Sequence, residues 1–67
     1  MGDKLVFKVE NLGKPYAVMV LERGVVTARI GRLVLRGAML AHALQWVKDR
    51  NPCPSIEPLI TLVGRDS

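Results

Sequence analysis

From Lys4 to Glu10 the chain alternates. Leu5, Phe7 and Val9 fall on one side, Lys4, Lys8 and Glu10 on the other, and only Val6 breaks the rule. Such alternation marks a strand with one buried face and one wet face. Asn11-Leu12-Gly13-Lys14-Pro15 interrupts it with turn-forming residues. Tyr16 to Glu22 follows and is apolar on both faces as far as Leu21. A strand of that kind sits centrally, or is covered on its second side by a helix or another subunit. Arg23-Gly24 then makes a short connection, so the second and third strands form a hairpin.

Val25 to Arg36 admits two readings. In the first, one long strand carries a bulge at Gly31-Arg32 that resets the alternation. In the second, Gly31 opens a type II′ turn and a second hairpin follows. The bulge is the favoured reading. It sets Val26, Ala28, Ile30, Leu33 and Leu35 on the core face, with Thr27, Arg29, Val34 and Arg36 opposite.

Gly37 is then a candidate helix N-cap, and Ala38 to Arg50 carries the one strong helical period. Leu40, Ala43, Leu44 and Val47 form a stripe flanked by Met39 and Trp46. Asn51-Pro52 stops the helix, because a residue before proline avoids the α region. Pro52-Cys53-Pro54-Ser55 reads as a stiff loop. Leu59 to Val63 reads as a last strand, with Pro58 tolerated at its start, and residues 64–67 as a polar tail. The expected fold class is α+β: a small antiparallel β-meander with one amphipathic helix packed on one face, order β-β-β-α-β. Residues 1–67 should form a single domain.

Size sharpens this picture. A chain of 67 residues buries only roughly 60% of its unfolded surface, so its stability is marginal. Cys53 is the lone cysteine and His42 the lone histidine. An intrachain disulfide is therefore impossible, and a zinc site is unsupported. Apolar residues make up 49% of the chain, more than so small a core can hide. A homodimer is the expected outlet, through Val18, Val20 and Val34 on the face away from the helix, with Trp46 as a further anchor for a dimer or partner.

Charge is unevenly placed. The net charge is +4. Between Arg23 and Lys48 the chain holds Arg23, Arg29, Arg32, Arg36 and Lys48 with no acidic residue. The four arginines on the central ribbon are the candidate macromolecule-binding residues. Guanidinium groups take carboxylates or phosphates through paired hydrogen bonds. The carboxylates are scattered without paired spacing, and no phosphate-binding glycine motif occurs. Catalytic residues, cofactors and metals are thus not expected. Phe7, Tyr16 and Trp46 are the only aromatics, too few for a base-stacking platform.

The lone cysteine suits a reducing, cytoplasmic setting. No signal peptide, myristoylation pattern or membrane-spanning run is expected. These features suit a non-enzymatic, small basic protein that binds an acidic protein surface as a stand-alone regulator or inhibitor, acting by occlusion. Small proteins of viruses and mobile elements often work so, a point about size alone. A DNA-binding regulator using the same ribbon is the alternative, and a structural subunit of a larger assembly the third.

Overall fold

Three two-residue turns fold the first half of the chain into a four-strand meander. The strands are β1 (Lys4–Asn11), β2 (Lys14–Glu22), β3 (Val25–Ile30) and β4 (Leu33–Ala38) in the computed structural model, which describes residues 3–66. The one-domain expectation also reaches Met1, Gly2 and Ser67, which lie outside the described residues. Leu12-Gly13 and Arg23-Gly24 each have both residues at positive φ, the type I′ geometry whose twist matches paired strands. At Gly31-Arg32 only the glycine is positive, at φ +59, and Ile30 pairs with Leu33. That is the type II′ hairpin.

The favoured bulge at Gly31 is therefore corrected, and four strands precede the helix rather than three. The face assignment survives the correction. A two-residue turn keeps its flanking pair on one side of the sheet, so Ala28 and Leu35 still meet on the core face. A bulge does occur, but further along, in β4. Arg36 and Gly37 together oppose Thr27, and Gly37 takes φ +66. Gly37 is thus a bulge residue and not a helix N-cap.

The helix α1 runs Leu40–Asp49 behind an extended Met39 cap that makes no side-chain hydrogen bond. It packs over β3 and β4. The last strand, β5 (Leu59–Asp66), is longer than its apolar stretch, and takes in Gly64, Arg65 and Asp66. It pairs with β1, giving an antiparallel sheet ordered β4-β3-β2-β1-β5. The apolar β2 is its middle strand. The chain thus leaves one edge at β4, crosses the sheet as α1 and the following loop, and returns at the opposite edge.

The core lies between the helix and the sheet: Val9, Ala17, Met19, Val26, Ala28, Ala38, Ala43 and Val47. Four of these eight are alanines, so fully buried apolar volume is small. Asn11, at the end of β1, and Asn51, after the helix, are also buried. Asn11 Nδ2 donates to Asn51 Oδ1 at 2.8 Å and to the Ile56 carbonyl at 3.0 Å. Asn51 Nδ2 donates to the same carbonyl at 2.7 Å, and its Oδ1 accepts from the Cys53 amide at 3.1 Å. These bonds pin the crossover loop to the sheet. They satisfy polar groups whose burial unpaired would cost about 1–3 kcal/mol each.

Candidate interaction face

The helix covers one side of the sheet and leaves the other bare. On the bare side the strand registers line side chains into rungs. One rung runs Thr61, Lys8, Val18, Arg29, Val34 across all five strands. The next runs Gly64, Val6, Val20, Thr27. Val18 is 44% and Val34 41% exposed, large fractions for β-branched residues within a sheet. A shallow depression of about 530 Å³ opens here, and Pro15, Val18, Val20, Thr27 and Arg29 are among its lining residues. Its floor is apolar because β2 is apolar on both faces, the pattern that made it the central strand.

Arg29 stands beside Val18 in this rung, with Lys8 on the opposite flank. Its Nε donates to the Gly31 carbonyl at 2.9 Å. That bond holds the guanidinium over the β3–β4 turn while its terminal nitrogens make no hydrogen bond among the described residues. The side chain is thereby partly pre-ordered for a bidentate contact, so less rotamer entropy is lost when one forms. Arg36 shares the face, since its neighbour Leu35 packs toward the core.

Arg23 and Arg32 occupy turns at opposite ends of β3, a strand about 17 Å long. The four arginines thus frame the ribbon instead of forming one cluster. None of them makes a salt bridge among the described residues. The ion pairs there are Lys8–Glu10 at 3.9 Å and Arg65–Asp3 at 2.8 Å, both at the β1–β5 side.

Trp46 does not join Val18, Val20 and Val34. It lies on the helix side of the sheet, packed against the core, with the Arg50 guanidinium 4.5 Å above its ring. Phe7 packs on that side too. The Tyr16 hydroxyl donates to the Val47 carbonyl at 3.1 Å, and burial raises its pKa above the ordinary 10.0. Tyr16 reaches the helix because it is the extra residue of a bulge, unpaired between the Val9–Ala17 and Glu10–Pro15 rungs. Alternation alone would have put its ring on the bare face. His42 is exposed on the helix and Cys53 half-buried in the crossover loop. Among the described residues no three His, Cys, Asp or Glu side chains converge as metal ligands, and no helix is long and apolar enough to cross a membrane.

No protein-family model, no curated protein and no solved structure matches this chain.

Proposed function

We propose that this is a non-enzymatic binding protein, a stand-alone regulator or inhibitor that occludes an acidic surface of another protein with the bare face of its sheet. One observation carries the reading. Val18 and Val34 are exposed, with half-buried Val20 beside Val18, and the arginines around them lack carboxylate partners within the described chain. An apolar centre with a polar, charged rim is the anatomy of a protein–protein interface, where water is excluded from the middle and charge sets orientation at the edge. The rim's sign selects an acidic partner. A cytoplasmic setting belongs to the same proposal and rests on the unpaired Cys53.

Nucleic acid, single-stranded or duplex, suits this face less well. An apolar floor has no use against a phosphate backbone, and the rings of Phe7 and Trp46 lie on the other side of the sheet. The test compares the wild type with Arg29→Ala/Arg32→Ala/Arg36→Ala. A defined protein partner should be held by the wild type, released by salt, and not held by the variant. Salt-sensitive binding to random duplex DNA that the variant loses would support the DNA-binding alternative instead. A partner held equally by both proteins would remove this face from the account and leave the structural-subunit reading.

A further inference from the structure

The sheet has two free edges of opposite character. At β4 the edge is blunted, because Arg32 and Arg36 stand on it and Gly37 bulges it. Charge and irregularity of this kind keep natural sheets from pairing edge to edge. At β5 the guard is weaker: a bulge at Val63 remains, but charge stands only at the end of the strand. Residues 58–64 carry no charge, and Leu59, Leu62 and Val63 are 61%, 52% and 55% exposed. Ile60 and Leu62 point to the helix side, opposite Val9 and Phe7. The helix packs over the far half of the sheet, on β3 and β4, so the apolar strip of Leu5, Phe7 and Leu62 is only partly covered.

We infer that β5 pairs antiparallel with β5 of a second copy of this chain, about a two-fold axis at Thr61. Three observations choose this occupant. The neutral run is bounded by Glu57 on one side and Arg65 on the other. Antiparallel self-pairing therefore brings Glu57 toward Arg65 of the partner subunit, a guanidinium that Asp3 of its own chain already holds on one side at 2.8 Å, whereas parallel pairing would set like on like. With the axis at Thr61, Ile60 faces Leu62 of the partner subunit and Leu59 faces Val63 of the partner subunit. Residues directly opposite share a side of the sheet, so the core-side pair stays core-side.

The third observation is closure. An isologous β5 pair uses up both of the less guarded edges and leaves only the arginine-bearing β4 edges outside. A β5-to-β4 contact would instead propagate into an open chain. The bulge at Val63, between the Val6–Gly64 and Phe7–Leu62 rungs, limits the new ladder to Leu59–Val63. The interface therefore draws on apolar side chains beside the ladder as well as on its hydrogen bonds. A core half made of alanine gives such burial a purpose in a chain this small.

The surface is separate from the arginine face, so either proposal can fail alone. Light scattering on the wild type should return twice the chain mass, and Leu62→Lys should return one chain mass with an unchanged circular dichroism spectrum. Lysine can lay its stem over Phe7 in the monomer, but it sets a charge in the ladder. A second arm does not depend on that variant. In a Cys53→Ser background, Thr61→Cys should give an intermolecular disulfide when diamide accepts the two electrons and two protons, and Val18→Cys should not. A monomeric wild type, a Leu62→Lys variant that stays dimeric, a dimer broken by Val18→Lys and not by Leu62→Lys, or no cross-link in the Thr61→Cys variant would each overturn the assignment.

Discussion

Asn11 and Asn51 are 40 residues apart in the chain and 2.8 Å apart in the fold, amide nitrogen to amide oxygen. Each takes part in three hydrogen bonds: Asn51 accepts from Asn11 and Cys53 and donates to Ile56, while Asn11 donates to Asn51, to Ile56 and, at a long 3.5 Å, to the Cys53 carbonyl, so the Asn51 set is the tighter one. Asn51→Ala should cost about 2–3 kcal/mol in urea unfolding and Asn11→Ala about 1–2 kcal/mol, since each leaves buried groups without partners. The double variant should cost clearly less than the two together, as both serve one network. Additive costs would show the two side chains acting independently.

The turns give a second, local prediction. Leu12 and Arg23 hold positive φ in type I′ turns, where asparagine is preferred and a bulky side chain is strained. Leu12→Asn and Arg23→Asn should each raise stability by about 0.5–1 kcal/mol. Gly31→Ala should lower it by about 1–2 kcal/mol, because the first position of a type II′ turn is built for glycine. A neutral Gly31→Ala would speak against this hairpin.

Strand and helix placement were legible in the sequence because alternation and helical period depend on nearest neighbours. The amphipathic Leu40–Val47 stripe and the alternating Lys4–Glu10 run have no competing reading. The second hairpin was open at Gly31 and resolved the other way. A bulge and a two-residue turn impose the same facing on flanking residues, so the pattern of apolar positions could not separate them. Tyr16 shows a different limit. Its direction is set by a bulge defined by β1, and no local signal records a partner strand's register. The bare valines could be read from β2 being apolar on both faces. That Trp46 lies on the other side follows only from where the helix packs.

Tyr16 links stability to alkaline pH. Its phenol is neutral when protonated, and burial raises its folded pKa above the unfolded 10.0. Stability from the buried hydroxyl is fully present below pH 10 and is lost as pH rises through the folded pKa. Tyr16→Phe should cost about 1 kcal/mol at neutral pH through the lost bond to Val47. The gap between the two proteins should narrow above pH 10. A gap constant with pH in chemical denaturation would show that the phenol stays wet in the fold.

The framing arginines should matter little to folding. Arg23, Arg32 and Arg36 are exposed and unpaired among the described residues, so alanine at Arg32 or Arg36 should change stability by less than about 0.5 kcal/mol. Arg29→Ala also loses one exposed hydrogen bond and belongs in the same range. A loss several times larger would mean that these side chains serve the fold and are not held in reserve for a partner.

Because β5 lies beside β1, the two halves of that ladder meet only after nearly the whole chain has been laid down. The hairpins and the helix close over short loops, while the β1–β5 ladder closes over almost the full length and carries the greatest closure entropy. In time, then, the molecule assembles as a four-strand ribbon with its helix and is sealed by its last strand. Whenever that strand is still undocked, β1 lies open and an uncharged, oily ribbon is free for a protease or a chaperone to find.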